Sequence, residues 1–340
     1  MPADAQAAAG QLGSAATEGA SLGAAVNPGN SAVDSRGVIH NIGYRRYDNV
    51  RLGRAAIIRA LTWHSLRSAF GIGRGARAKI FPALLFGLMC LPAAVNAVAL
   101  ATNPHGAPIV GYDDYVPSLR AVVMLIFVAI AAPNLVSADL RNHTLPLYFA
   151  RPIRRIDYPV AKLAAFVLAC LAMIEIPVIL LYLGNVSQQH GTSQVWEQTL
   201  RLGPGLLYGA AWAVLLASIG LLLASTTGKR VFAMCAIGIP LFFSWILANV
   251  LAHVGAQAFG PAGFGQPSAL SSLAGLISPF TLLGGLLRWL QGNPAISPAY
   301  HPLQVTTIGN YGPVYGVLFA VLTVAAITGL IVRYRKVGVA

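Results

Sequence analysis

The stretch GLLYGAAWAVLLASIGLLLASTTGKRVFAMCAIGIPLFFSWILANVLA, residues 205–252, decides the fold class of this chain. It contains two apolar runs, 205–226 and 231–252, separated by a short turn that carries Lys229 and Arg230. Each run is long enough to cross a bilayer as a helix, because about 20 apolar residues span the hydrocarbon layer. The stretch therefore predicts two membrane-spanning helices joined by a basic turn.

The rest of the chain has the same character. Of its 340 residues 56% are hydrophobic and only 10% are charged, whereas soluble domains carry about a quarter charged residues. Four further runs have spanning length: 80–100, 116–136, 160–184 and 313–332. We therefore expect an all-α polytopic membrane protein with six transmembrane helices.

The basic residues alternate across these spans. Of the 23 Lys and Arg residues, all except Arg120, Arg201 and Arg288 lie before the first span, after the second, after the fourth or after the sixth. Cytoplasmic loops are enriched in Lys and Arg, so both termini are expected in the cytoplasm. We expect a multi-pass protein of a bacterial cytoplasmic (inner) membrane, whose net charge of +13 meets anionic lipid rather than nucleic acid.

Two segments precede the 80–340 transmembrane domain. Residues 1–35 are rich in Ala, Gly and Ser with almost no large apolar side chains, so a disordered extension is predicted. Residues 36–79 form a cytoplasmic segment that contains RLGRAAIIRALTWHSLRSAF, residues 51–70. This stretch is too polar to span and predicts a basic amphipathic elbow helix in the headgroup region.

The connection between the fifth and sixth spans contains a seventh apolar stretch, residues 271–292. Pro279 and the pair Gly284-Gly285 interrupt it. A seventh span would put the C-terminal Arg cluster outside, against the charge rule. We therefore expect an external re-entrant or interfacial helical hairpin, whose irregular backbone is buried in protein or faces water.

No residue pattern predicts catalysis. The sequence STTGKR, residues 225–230, ends like a phosphate-binding loop, but Leu223 stands where that loop needs glycine. The seven His residues show no metal-site spacing, so no metal and no cofactor are expected in this chain. We expect a non-catalytic membrane subunit, and any ATP and Mg²⁺ would be bound by a partner.

Glu175 is the one acidic residue deep inside a predicted span, two residues before Pro177. An ionised carboxylate there costs roughly 2.5–3.5 kcal/mol, so such residues usually face the bundle interior. Glu175 is either a substrate or proton contact, or a hydrogen-bonding group for the backbone that Pro177 leaves unpaired.

Small residues recur at every fourth position of the fourth span. A stripe of this kind allows helix backbones to approach closely, either within the chain or between two copies. Its members are Gly205, Gly209, Ala213 and Ala217.

The second cytoplasmic segment, SADLRNHTLPLYFARPIRRIDYPVAKL at 137–163, carries more than topology requires. Charge alone would orient the helices, yet this segment also holds apolar and aromatic side chains beside its arginines. Exposed apolar residues among polar ones are typical of docking surfaces. The side chains predicted to couple to a partner are those of Asp139, Leu140, Arg141, His143, Leu145, Leu147, Tyr148 and Arg151.

This segment resembles the permease subunits of type-2 ABC transporters. In that family an acid-and-Arg motif after the second span leads through a Leu-Pro-Leu-like stretch to a Ser/Ala-Arg-Pro turn. The elbow helix, the six spans and the Ser278-Pro279 hairpin extend the resemblance over most of residues 45–340. The matching positions are Asp139-Leu140-Arg141, Leu145-Pro146-Leu147, Ala150-Arg151-Pro152, Asp157-Tyr158 and Lys162-Leu163.

The resemblance implies a complex of two permeases, identical or paralogous, with two separate ATPase subunits. Residues 137–152 would form the coupling helix, seated in a cleft of the ATPase. The largely uncharged spans favour export of a hydrophobic or amphipathic molecule, such as a drug, a peptide or a lipid-like compound. Two alternatives stay open: a secondary transporter driven by protons through Glu175, and a membrane anchor or assembly protein that transports nothing.

Overall fold

In the part of the chain that it describes, the computed structural model consists of helices joined by turns and short loops. The structure describes residues 53–103, 119–142, 144–149, 153–187, 189, 191–257, 269–290 and 311–336. The predicted disordered extension, 1–35, lies outside these ranges, so that prediction stays untested. The helices are α1 Arg54–Ala69, α2 Ala76–Thr102, α3 Leu119–Arg141, α4 Leu145–Phe149, α5 Asp157–Val186, α6 Thr192–Ser225, α7 Arg230–Gln257, α8 Ala269–Ala274, α9 Pro279–Leu290 and α10 Gly312–Lys336.

Six of these helices, α2, α3, α5, α6, α7 and α10, are long and apolar enough to cross a membrane. They coincide with the six predicted spans, which are confirmed as helices. The largest difference is at α6, which begins at Thr192 rather than at residue 205. Its first turns are polar, and an exposed ion pair between Glu197 and Arg201, one turn apart and 2.6 Å long, fits a helix there. A search for apolar runs misses such polar turns.

The long helices differ in how much of their surface the chain itself covers. In α3, 72% of the apolar window is buried, against 28% in α2, 22% in α7 and 17% in α10. The main core holds buried residues of α3, α5 and α6, including Phe127, Phe166 and Trp212. The helix α3 is therefore the central element, while α2, α7 and α10 keep large apolar faces exposed.

The basic clusters meet at one end of the bundle, called the basic end from here on. The end of α10 reaches the end of α6, where Nε of Arg333 donates to the carbonyl of Ser225 at 2.7 Å. The end of α3 meets the beginning of α5 through the ion pair of Asp139 with Lys162. The helix α2 begins beside the start of α7. The predicted grouping of the basic flanks on one side is consistent with these contacts.

The segment between α7 and α10 contains the two short helices α8 and α9. Their connecting turn is held at Ser278, whose hydroxyl accepts from the Phe280 amide and lies 3.4 Å from the Ser244 hydroxyl of α7. The Phe280 ring packs edge-on against Trp212 of α6, with ring centroids 5.5 Å apart. At 1.5 Å per residue, Ser244 lies roughly 20 Å along α7 from the basic end. The turn therefore lies beside the middle of α6 and α7.

Candidate functional site

The short helix α4 lies at the basic end and is attached to the bundle along one side. Leu145 is buried in the main core, and Tyr148 and Phe149 pack against that core. Thr144 begins the helix: its amide donates to the Asp139 carbonyl at 3.2 Å, and its own carbonyl accepts from the Leu147 amide at 3.1 Å. The helix α4 is thus a supported element rather than a free loop.

Beneath α4, one carboxylate joins α3 to α5. Oδ2 of Asp139 accepts a hydrogen bond from the Tyr158 hydroxyl at 2.7 Å and lies 2.9 Å from the Lys162 ammonium. The side chain of Lys162 is only 7% exposed and that of Asp139 19%. Buried ions of this kind are stable only with a partner, so the contact ties the two helices together.

Three tyrosines extend this junction to two further helices. The Tyr158 ring of α5 lies 5.4 Å from the Tyr148 ring of α4 and 5.2 Å from the Tyr334 ring of α10. Tilted ring pairs at such distances are favourable. The helices α3, α4, α5 and α10 therefore share one packed junction at the basic end, called the tyrosine junction below.

A second carboxylate fastens α1 to the start of α5. Asp157 accepts from Nε of Arg54 at 2.6 Å, pairs with the second guanidinium nitrogen as well, and accepts from the Arg154 amide at 2.8 Å. Two-pronged Arg–carboxylate contacts fix orientation as well as distance. The helix α1 is therefore held against α5, with Leu61, Ser65 and Ala69 on its buried face.

The outer side of α4 is exposed and apolar. Leu147 is 71% exposed, and Pro146 beside it is exposed as well. Next to it, Tyr148 helps to line a hollow of about 280 Å³ between α1 and the stretch that follows α4. Its walls are mostly apolar: Ala56, Ile57, Ala60, Leu61, His64, Tyr148 and Ile153. The basic end thus presents an apolar projection beside an apolar hollow, with exposed arginines nearby.

The predicted coupling residues divide by position. Leu147 and Arg141 face outward, whereas Leu145 is buried and Leu140 and Tyr148 are half-buried against the core. The carboxylate of Asp139 points into the tyrosine junction. The predicted residues His143 and Arg151 lie outside the described residues.

Sequence reasoning gave no role to two groups that complete these contacts, Tyr334 and Arg54. Acidic residues are scarce, with 10 in the chain against 23 Lys and Arg. A carboxylate among buried helix ends needs a cationic partner. The scarcity of acids among many basic residues could therefore have predicted that Asp157 pairs with an arginine. Nothing in the sequence marks Tyr334, which comes from the other end of the chain.

Glu175 lies inside α5 against α6. Both of its carboxylate oxygens are buried and have no hydrogen-bond partner among the described residues. The neighbouring position on α6 is Gly209, where an added Cβ would overlap Oε1 of Glu175 and come within 2.9 Å of Ile174. The close approach of the two helices at this level therefore requires glycine at position 209.

The whole small-residue stripe of α6 is buried within the chain. Gly205, Gly209, Ala213 and Ala217 all lie in the interior. A face that is already covered inside one chain has no surface left for a second copy. The four small residues therefore pack within the chain.

The described residues hold no group of three His, Cys, Asp or Glu side chains placed to bind a metal ion. The basic end offers an exposed element, α4, that is connected through the tyrosine junction to α3, α5 and α10. The fold and this end define the class, a multi-pass helical membrane protein with six candidate spans. No protein-family model and no curated protein sequence matches the chain.

Proposed function

We propose that this chain is the transmembrane subunit of an ABC exporter, with ATP hydrolysed by two separate ATPase subunits and a second permease copy or paralogue beside it. The observation that carries the proposal is α4: a short helix with Leu147 exposed and Leu145 buried, mounted on the tyrosine junction. A partner that bound Leu147 would bury a large apolar side chain, which favours association.

Movement of α4 would reach several spans at once. The tyrosine junction links it to α3, α5 and α10 through rings and through the Asp139–Lys162 pair. Packed side chains transmit displacement because interiors resist compression. A push on Leu147 by an ATPase would therefore shift three spans together, which is what coupling of ATP hydrolysis to transport demands.

The remaining parts fit the same assignment. The basic end would face the cytoplasm of a bacterial cell, since it collects the Lys and Arg clusters. The helix α1 would be the elbow at the membrane surface, and α8 and α9 would form the re-entrant hairpin from the external side. Lipid and the second permease would cover the exposed apolar faces of α2, α7 and α10, and the cargo would be hydrophobic or amphipathic.

The proposal predicts that Leu147→Glu removes the ATPase without unfolding the permease. The leucine is 71% exposed, so a charge costs little in the isolated chain but opposes burial in an interface. We expect co-purification of a chain with a GxxxxGK[ST] motif and ATPase activity to fall at least tenfold, measured by affinity purification from native membranes. Ile72→Glu is the matched control, because Ile72 is 46% exposed in the α1–α2 turn and does not line the hollow beside α4. Equal ATPase recovery from both variants would reject the proposed docking element.

A second candidate function, proton-coupled transport, is favoured by the unpartnered carboxylate of Glu175. A carboxyl group buried in a membrane helix without a cation is a common element of proton pathways. It would need no ATPase, so the Leu147 experiment and a test at Glu175 separate the two candidates. A protein that neither binds an ATPase nor transports would instead be an anchor or assembly factor.

We expect Glu175→Gln to preserve both stability and ATP-driven transport. Glutamine has nearly the same shape as glutamate and no charge to desolvate, so it fits the same buried site. Thermal unfolding and transport in proteoliposomes with ATPase and ATP measure the two effects, with Glu197→Gln at an exposed position as the control. Loss of transport driven by a proton gradient in Glu175→Gln alone would support the second candidate instead.

A further inference from the structure

A cavity of about 470 Å³ opens at the basic end, and no residue of α4 lines it. The α1–α2 turn, the first turns of α2, the middle of α3 and the start of α7 enclose it. The turn itself depends on Gly71, which has a φ of +70° and where an added Cβ would overlap the Ala78 carbonyl. This cavity plays no part in the proposed ATPase contact.

The polar part of the cavity is positive. Arg74, Arg77 and Arg230 line it, and no Asp or Glu does. None of the three forms an ion pair with a described residue; Arg74 donates to the Ser68 hydroxyl at 3.0 Å. Arg54 and Arg201, by contrast, each have a carboxylate partner. Three like charges around one cavity repel one another, and an anion between them would relieve that repulsion.

Two helix N-termini add to the positive potential. Arg77 lies in the first turn of α2, and Arg230 is the first residue of α7. Backbone amides at helix N-termini are unpaired and favour anions such as phosphate. The arginines, with their planar groups of N–H donors, match phosphate oxygens two at a time. The polar part of the cavity is therefore suited to a phosphate group.

The inner wall of the cavity is apolar. Phe81, Leu85, Phe127 and Ile130 form it, and Phe81 is 39% exposed. On the outer surface of α2, Ile80 and Leu84 are about 60% exposed and continue the apolar surface along the span. A free inorganic anion would leave this wall uncovered, whereas an acyl chain would cover it.

We propose that this cavity binds the phosphate headgroup of an anionic membrane lipid, with the start of its acyl chains along Phe81 and Leu85. The arginines stand where two spans begin, which is the level of the headgroups in a bilayer. The inference requires only that the chain lies in a membrane and does not depend on an ATPase. Such a lipid would join the starts of α2 and α7 to the middle of α3.

Native mass spectrometry of the full chain released from detergent micelles tests the proposal. The probes are dioleoyl phosphatidylglycerol, dioleoyl phosphatidylcholine and inorganic phosphate at equal concentrations. We expect at least tenfold more retained phosphatidylglycerol than phosphatidylcholine, and no competition by inorganic phosphate. In the double variant Arg77→Gln/Arg230→Gln, the ratio of retained phosphatidylglycerol to retained phosphatidylcholine is expected to fall tenfold. The control Arg59→Gln/Arg67→Gln, two exposed arginines of α1 outside the cavity, is expected to keep it.

A second variant keeps the test valid if the double variant fails to fold. Ala78→Trp retains all three arginines but fills the cavity, and it is also expected to lose phosphatidylglycerol. Retention of lipid by folded Arg77→Gln/Arg230→Gln, or by Ala78→Trp, would overturn the site. Displacement of phosphatidylglycerol by inorganic phosphate would overturn the assignment to a lipid and indicate a soluble phosphate compound.

Discussion

Asp139→Ala is expected to lower the free energy of unfolding by roughly 3 kcal/mol, because it leaves a buried lysine without its counter-ion. The ammonium of Lys162 is 2.9 Å from Asp139 and its side chain is 7% exposed, so water can replace the carboxylate only in part. The Tyr158 hydroxyl loses its acceptor in the same step. Denaturation of the purified protein in mixed micelles, followed by tryptophan fluorescence, measures the change.

Two controls separate the ion pair from the general effect of an alanine. Arg141→Ala removes an exposed charge two residues away and is expected to change stability by less than about 0.5 kcal/mol. The double variant Asp139→Leu/Lys162→Leu removes both charges and is expected to recover most of the loss, since replacing a whole buried pair is often nearly neutral. If Asp139→Ala were no less stable than Arg141→Ala, the pair would not hold α3 to α5.

The same variant clarifies the coupling proposal. Asp139→Ala is expected to weaken ATPase binding indirectly, because the packing that holds α4 in place is weakened. Leu147→Glu instead removes the contact itself. A suppressor that restores stability should therefore restore ATPase binding to Asp139→Ala but not to Leu147→Glu. The comparison assigns Asp139 to support of the site and Leu147 to contact.

Gly285→Ala in α9 is expected to destabilise the protein by roughly 2 kcal/mol, because overpacking a full interior forces neighbours to move. An added Cβ would overlap the Tyr315 ring, with Cδ1 only 2.5 Å away, and Tyr315 is fully buried. Tyr315 also lies against Gly275, on the other side of the α8–α9 turn. The ring is thus confined by two glycines and cannot retreat. Thermal unfolding in detergent gives the measurement.

The adjacent glycine provides a matched control for this prediction. An added Cβ at Gly284 would lie 3.6 Å from the Tyr208 hydroxyl, an ordinary contact. Gly284→Ala is therefore expected to be neutral or to stabilise α9 by up to about 1 kcal/mol through helix propensity. The double variant Gly285→Ala/Tyr315→Ala should be less harmful than the sum of its parts, since the clash disappears. Similar midpoints for the two alanine variants would contradict the close packing of α9 on α10.

The coarse architecture was predictable because it depends on local chemistry. A run of about 20 apolar residues cannot be soluble and must satisfy its backbone internally, so each run forms a helix wherever it lies in the chain. The six helices agree with that expectation within a few residues, except at the start of α6. There the polar turns around Glu197 continue the helix without any signal in hydropathy.

The placement of side chains was not predictable in the same way. The sequence marks Asp139 as one of two acids in a basic segment and predicts for it a contact with a partner. Only the packing of α5 against α3 brings Lys162 and Tyr158 to that carboxylate and turns it inward. The partners of Arg54 and Tyr334 likewise come from helices far away along the chain.

By itself the sequence determined six helices long and apolar enough to cross a membrane, together with the grouping of their basic flanks, because hydrophobic length and charge act residue by residue. Only the tertiary structure decided which apolar side chain of α4, within the 137–163 segment, is exposed. About half a turn of helix separates buried Leu145 from exposed Leu147, and α4 acquires that orientation from its contacts with the core. The cavity of Arg74, Arg77 and Arg230 arises for the same reason, since two helix starts distant in sequence become neighbours only through packing around α3.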